Sequence, residues 1–160
     1  MMSAKGRKKN NVVFGLALLG MLILLPSVSI SGDRLEIMGF SLGMTMDDAV
    51  KNINKLGIDN YKVMSSGVSF GKDMGNWLQQ DNNNKINYML FNYRLFDAQD
   101  LTLNDFVQKF SQSYRLSMKY DAMRDSYVYK TANCEVLIPS DPMGIVIIQE
   151  IPKPEFNISG

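Results

Sequence analysis

One segment of the chain occurs twice, and this repetition constrains the fold more than any other feature. Residues 44–55 have a counterpart in residues 101–112, and 57 residues separate Thr45 from Thr102. Both copies follow the order apolar, Thr, apolar, Asp or Asn, Asp, apolar, Val, polar. A single amphipathic segment cannot bury its apolar side alone, so each copy must be followed by further structure on which it packs.

Each copy predicts the start of an α-helix. Thr45 and Thr102 suit the N-cap position, where the hydroxyl accepts a bond from an unpaired backbone N–H. Asp48 and Asp105 follow three residues later, where a negative charge favours the positive end of the helix dipole. Gly57 predicts the end of the first helix. Apolar residues recur at helical spacing, as Met46, Ala49, Val50, Ile53 and Leu56 in the first copy, and as Leu103, Phe106, Val107, Phe110 and Tyr114 in the second.

The segments after both predicted helices are typical of β-strands. The clearest strand covers residues 86–96, where apolar side chains occur on both faces. Residues 71–85 form a polar segment interrupted by Trp77 and Leu78, and Pro139 and Pro142 confine the last turn. Further strands are predicted near residues 61–64, 68–70, 118–120, 127–131, 133–138 and 144–151.

The spacing of 57 residues also matches strand to strand. Residues 88–92 align with residues 145–149, and the alignment needs no insertion. The sequence therefore predicts an α+β fold of two α-β-β-β units in tandem, with two helices packed on one face of an antiparallel sheet. Unit one covers about residues 40–96 and unit two about residues 97–152. The alternative is that any two amphipathic α-β units resemble each other loosely.

The N-terminal residues predict export. Residues 1–11 are basic, residues 12–25 are an unbroken apolar run, and small polar residues follow. These are the three parts of a secretory signal, with cleavage after Ser29 or Ser31. The alternative is an uncleaved hydrophobic helix over residues 12–30 that anchors the chain in the inner membrane. Either way, residues 1–31 precede a domain of residues 32–152 that lies outside the cytoplasm, in the periplasm for a bacterial protein, and residues 153–160 form a flexible tail.

The composition argues against several classes of function. Four of the 17 basic residues precede the apolar run, which leaves 13 against 16 acidic residues and no basic surface for nucleic acid. Histidine is absent, so Ser-His and Cys-His nucleophiles and His-ligated zinc are excluded. Asp47 and Asp48 are adjacent carboxylates, but the helix dipole accounts for them. We expect no catalytic, metal or cofactor site. The single cysteine, Cys134, is either buried and inert or forms an intermolecular disulfide.

A resemblance to a known family rests on the first helix start. Gly43, Met44 and Thr45, followed by Asp48 and Val50, resemble the helix start of the small outer-membrane assembly lipoproteins of the SmpA/OmlA group. Two such units in tandem are similar to the fold of the β-lactamase inhibitor proteins. The resemblance implies a helix layer on an antiparallel sheet, in an envelope protein that binds other proteins and has no catalytic residues. The chain lacks the lipobox cysteine of the lipoproteins.

The candidate binding residues are Trp77, Leu78, Tyr88 and Leu90. Trp77 lies in the most polar part of the first unit, where the fixed spacing matches it with Cys134. It either covers the edge of the core or anchors a partner, because tryptophan is enriched at binding hot spots. We therefore expect a non-enzymatic protein-interaction module of the bacterial envelope. The alternative is an inhibitor or immunity-type protein that blocks an enzyme or toxin. The sequence leaves the partner's identity and the oligomeric state open.

Overall fold

Residues 34–141 and 144–152 are described by the structure, a computed structural model. The predictions for residues 1–31, Pro142 and the tail of residues 153–160 lie outside the described residues. Within the described ranges, no helix is both long and apolar enough to cross a membrane. The architecture is α+β, with two α-helices and one large antiparallel sheet.

Both predicted helices are present and begin at the predicted caps. Helix α1 covers Met46–Lys55 and helix α2 covers Leu103–Tyr114. The Thr45 hydroxyl accepts the Asp48 N–H at 3.2 Å, and the Thr102 hydroxyl accepts the Asp105 N–H at 3.3 Å. Each hydroxyl also donates to the carboxylate of the same aspartate, at 2.9 and 2.7 Å. The caps are therefore alike in geometry as well as in sequence.

Ten strands accompany the two helices in the described residues. Their bounds are β1 Glu36–Ile37, β2 Phe40–Ser41, β3 Tyr61–Met64, β4 Gly67–Phe70, β5 Asn76–Gln80, β6 Ile86–Asn92, β7 Lys119–Asp121, β8 Ser126–Lys130, β9 Cys134–Pro139 and β10 Ile145–Glu150. Strands β1 and β2 form a small hairpin before α1. The other eight form one sheet in the order β3-β4-β5-β6-β10-β9-β8-β7. The strands that follow α1 thus occupy one half of the sheet, and those that follow α2 occupy the other.

Four strands, and not the predicted three, follow each helix. The predicted α-β-β-β unit is therefore an α-β-β-β-β unit. The unpredicted strand is β5, in the segment that was expected to be polar. Its Asn76 is buried, and the side-chain amide donates to the Phe70 carbonyl at 3.0 Å and accepts the Asn92 N–H at 2.9 Å. A polar residue fits this buried position because its hydrogen bonds are satisfied.

Strand β6 is shorter than predicted. It ends at Asn92 rather than continuing to Phe96, and a 3-10 turn covers Tyr93–Phe96. The Asn92 side chain accepts the Arg94 N–H at 3.0 Å and so caps this turn.

The hairpin turns show that one fixed spacing does not hold throughout the sheet. Two residues join β3 to β4, since Met64 pairs with Gly67, whereas four residues join β7 to β8. The prediction that the alignment needs no insertion is therefore wrong. Trp77 lies opposite Leu90, and Leu137 lies opposite Ile147. By strand pairing, the position that corresponds to Trp77 is Leu137 and not Cys134.

The core lies between the helices and one face of the sheet. On each central strand alternate residues are buried, and they join the apolar faces of both helices in one cluster. Phe40 lies 5.5 Å from Phe70 between ring centroids, and Tyr93 stacks on Phe106 at 3.7 Å. Cys134 is buried, as one of the two predictions for it required. Neither helix covers the second face of the sheet, which is called the open face below.

Candidate functional site

A continuous row of paired residues crosses the open face from one edge of the sheet to the other. Residues that pair directly across antiparallel strands point to the same face, so the register defines this row. Its members, one from each strand in sheet order, are Lys62, Ser69, Trp77, Leu90, Ile147, Leu137, Val128 and Lys119. The middle five, from Trp77 to Val128, are apolar and partly exposed and are called the apolar row. At about 4.8 Å between strands, the apolar row extends about 19 Å.

Trp77 is held in the apolar row by the strand beside it. Gly67 begins β4 with a φ of +153°, a conformation that favours glycine. A Cβ atom on Gly67 would collide with the Leu78 carbonyl oxygen and lie 3.0 Å from Cζ2 of Trp77. The indole ring therefore rests against strand backbone that has no side chain. This contact restricts the orientation of the ring.

A more polar row runs beside the apolar row. Tyr88 lies opposite Gln79 on one side and Gln149 on the other, and Gln149 lies opposite Glu135. The Gln149 side chain donates to Glu135 Oε2 at 3.1 Å. Burial raises the pKa of the Tyr88 hydroxyl, so this side chain stays neutral and available as a hydrogen-bond donor. An apolar strip edged by such polar groups is typical of a protein-binding surface.

Glu135 is a buried residue on the open face, and its carboxylate forms an ion pair with an arginine. Arg124 Nη1 donates to Glu135 Oε1 at 2.6 Å. Burial alone would raise the pKa of Glu135, but the hydrogen bonds from Arg124 and Gln149 and the charge of Arg124 outweigh it, so the pKa is lowered. Because Arg124 belongs to the turn between β7 and β8, this ion pair holds the turn against the open face.

The same turn carries an exposed methionine, and polar contacts on both sides of it tie the turn to neighbouring residues. Asp121 Oδ1 accepts the Met123 N–H at 3.0 Å, and Arg124 Nε lies 3.7 Å from Asp121 Oδ2. The Tyr120 hydroxyl donates to Asp125 Oδ1 at 2.5 Å. Met123, at the tip, is 99% exposed. Several polar contacts thus fix the turn at the edge of the open face, and the large apolar side chain at its tip is exposed to water.

The structure brings three of the four candidate binding residues together. Trp77, Tyr88 and Leu90 share the open face, and Trp77 pairs directly with Leu90. Leu78 points to the opposite side of the sheet and is fully buried in the core. Sequence reasoning did not select four further residues of this surface, which are Ile147, Leu137, Val128 and Met123. The run of isoleucine and valine in β10 was a usable signal, because apolar residues of both parities indicate a strand that is apolar on both faces.

Among the described residues, grooves lie along β7 and near the start of β5. The larger, about 660 Å³, lies along β7 and is lined by residues that include Lys119, Tyr120 and Val128. The smaller, about 250 Å³, is lined by Asn60, Lys72 and other residues near the start of β5. Within the described part of the chain, no three residues among His, Cys, Asp and Glu are grouped so that they could hold a metal ion.

Comparison with known proteins gave no match. No family model, no curated protein and no solved structure is significantly similar to this chain.

Proposed function

We propose that this protein is a non-enzymatic interaction module whose open face binds another protein. The observation that carries the proposal is the apolar row, which continues without interruption across five adjacent strands. Apolar surface of this extent on a sheet face, bordered by polar groups, is typical of a recognition site. Trp77 and Leu90 would supply the aromatic and aliphatic anchors.

The shape of this surface favours a protein over a small molecule. Small ligands occupy clefts and cavities that enclose most of their surface. The apolar row is instead a line about 19 Å long on the face of a sheet. Leu90 and Ile147 pair on the two central strands, in the middle of this line, so a partner that follows the line crosses the boundary between the two halves. We therefore expect the interface to include both halves of the sheet.

The proposal includes an origin by duplication of one α-β-β-β-β unit. Two observations support it, the matching caps at Thr45 and Thr102 and the mirrored strand order about β6 and β10. On this basis, the two halves of the open face are related versions of one surface. The resemblance to the SmpA/OmlA lipoproteins and to the β-lactamase inhibitor fold belongs to the same proposal.

The basic and apolar leader supports a location outside the cytoplasm. We propose that residues 1–31 act as a cleaved signal or as an inner-membrane anchor, and that the sheet domain works in the bacterial envelope. Mass spectrometry of the exported protein separates the two cases. A mass that begins at residue 30 or 32 indicates cleavage, and a full-length mass in the membrane fraction indicates an anchor.

A second candidate function is inhibition of an enzyme or toxin. The turn between β7 and β8 favours it, because its contacts to Asp121 and Glu135 fix the backbone while Met123 stays exposed. A preordered loop with an exposed anchor loses little entropy on binding, as a tight inhibitor requires. Under this alternative, the partner is an enzyme that loses activity in the complex.

Site-specific photo-crosslinking tests the proposal. A photoreactive benzoylphenylalanine is introduced in place of Leu90 or Leu137 on the open face, and in place of Lys51 or Gln108 on the helices, in cells that produce the full chain. We expect one adduct of the same size from both open-face positions and none from the exposed helix positions. Adducts from the helix positions alone would overturn the proposal. The identity and activity of the crosslinked protein distinguish an assembly factor from an inhibited enzyme.

A further inference from the structure

The apolar row ends in a lysine at each edge of the sheet. Lys62 pairs with Ser69 on one side, and Lys119 pairs with Val128 on the other. Lys130 ends the neighbouring row, opposite Glu135. All three lysines are exposed, and none takes part in an ion pair among the described residues.

The acidic side chains of the paired rows do not balance these lysines. Glu135 and Asp121 are the two carboxylates that the strand register places on the open face, and Arg124 contacts both of them. One arginine cannot neutralise two carboxylates, and the charge of Lys130 also acts on Glu135. Among the described residues, Lys119, Lys130 and Arg124 together outnumber Asp121 and Glu135 by one charge, so this end of the open face stays positive, and Lys62 makes the other end positive. The remainder of the domain does not share this sign, since residues 32–160 have 13 basic and 16 acidic residues. The ends of the open face are thus positively charged, although the domain as a whole has more acidic than basic residues.

We infer that the partner presents an apolar ridge with carboxylates at both ends. This inference rests on the proposed function and specifies the chemistry of the partner. The apolar part of the ridge would match the apolar row, and the carboxylates would meet Lys62 and Lys119. Seven strand spacings separate these lysines, a distance of about 34 Å along a flat sheet. Complementary charges at the ends set the register of the complex and speed the encounter.

The charge pattern disfavours two other occupants. A second copy of this chain stacked on the open face would bring lysine against lysine at both ends, which costs free energy. An anionic membrane would attract the lysines, but the apolar row is only partly exposed because neighbouring strands flank each side chain. Such side chains cannot reach far into the hydrocarbon layer. A protein ridge can instead bring its own side chains to them.

Selection from a displayed library of random 22-residue peptides tests the inference, because a helix of that length spans about 33 Å. The full chain is the target, and its Leu90→Lys variant is used to remove peptides that bind elsewhere. Selected peptides should have Asp or Glu on both sides of an apolar stretch. The double variant Lys62→Glu, Lys119→Glu should bind them about 10-fold more weakly at low salt. The matched control, Lys55→Glu with Lys109→Glu, makes the same charge change on the helices and should bind normally.

The outcomes separate this inference from the proposed function. If the selected peptides distinguish wild type from Leu90→Lys but have neutral or basic ends, the open face binds protein and the inference about charge is wrong. If no peptide distinguishes the two proteins, the proposed function itself fails. Sedimentation of the wild-type chain, but not of a Leu90→Glu variant, with phosphatidylglycerol vesicles would assign the open face to a membrane. Concentration-dependent dimers that Leu90→Lys abolishes would assign it to a second copy, and either result overturns the inference.

Discussion

Leu90 and Ile147 lie directly opposite each other on the two central strands of the sheet. They are 57 residues apart in the chain, the same spacing that separates Thr45 from Thr102. At this contact, therefore, the pairing of the central strands coincides with the spacing of the two helix caps. The apolar row extends from this pair to Trp77 on one side and to Leu137 on the other. The open face is thus approximately symmetric about one contact, while its two ends differ in detail.

The two helix caps should contribute equally to stability. Thr45→Ala and Thr102→Ala each remove one hydroxyl that accepts an N–H from the first helical turn. We expect each to lower the free energy of unfolding by about 0.5–2 kcal/mol, and the double variant to lose the sum. Urea denaturation measures all three. A cap whose removal has no effect would show that the two helix starts are not equivalent.

Gly67→Ala should be more harmful than Gly57→Ala. Both glycines have a positive φ, but a Cβ on Gly57 meets nothing within 4 Å, whereas one on Gly67 collides with the Leu78 carbonyl. We expect a loss of about 1 kcal/mol for Gly57→Ala and of about 3 kcal/mol for Gly67→Ala. Trp77 is the single tryptophan, so its fluorescence should also shift in Gly67→Ala. Equal losses with unchanged fluorescence would contradict the contact between Gly67 and Trp77.

Two buried tyrosines should respond differently to loss of the hydroxyl. Burial raises the pKa of both to about 12, for Tyr93 with a contribution from the charge of Asp141. The Tyr93 hydroxyl has no hydrogen-bond partner among the described residues. The Tyr114 hydroxyl, in contrast, forms a hydrogen bond with the backbone of Met38. We expect Tyr93→Phe to be neutral or slightly stabilising, and Tyr114→Phe to lose about 1 kcal/mol in urea denaturation. The reverse order would contradict this difference in hydrogen bonding.

The ion pair on the open face should make stability depend on acidic pH. The pKa of Glu135 is lower in the folded state than its ordinary value of 4.5, so the folded protein binds fewer protons there than the unfolded chain does. Its contribution is complete above pH 4.5 and is lost as the pH falls through the folded-state pKa. Glu135→Gln should therefore lower stability by about 1 kcal/mol at pH 7. The difference from wild type should shrink below pH 4.5, and a difference that grows in acid would contradict the argument.

The sequence predicts the helices well because their determinants are local. An N-cap threonine, an aspartate three residues later and apolar residues at helical spacing define each helix start without reference to the sheet. Both predicted caps, Thr45 and Thr102, therefore agree with the structure. The strand β5 was not predicted because its buried Asn76 depends on hydrogen bonds to Phe70 and Asn92, which come together only in the folded sheet.

For the candidate binding residues too, local geometry could be predicted from the sequence and contacts between distant residues could not. Trp77 and Leu78 are consecutive in a strand, so they must point to opposite faces, and only one of them can lie on the open face. Once β5 is a strand, this follows from its geometry. The exposure of Met123 has no such signal, since a four-residue turn follows no periodic pattern. Its position depends on the ion pair between Arg124 and Glu135, which are distant in sequence.

The affinity of the crosslinked partner for open-face variants tests the central claim most directly. Once photo-crosslinking has identified the partner, its dissociation constant is measured by calorimetry for wild type, for Leu90→Lys and for Lys55→Glu. Leu90 is partly exposed, so urea denaturation should first show that Leu90→Lys remains folded. We predict a loss of about 10-fold or more for Leu90→Lys, because a charge would enter the middle of an apolar contact, and no change for Lys55→Glu. Unchanged affinity for a folded Leu90→Lys variant would contradict the claim that the open face is the binding surface.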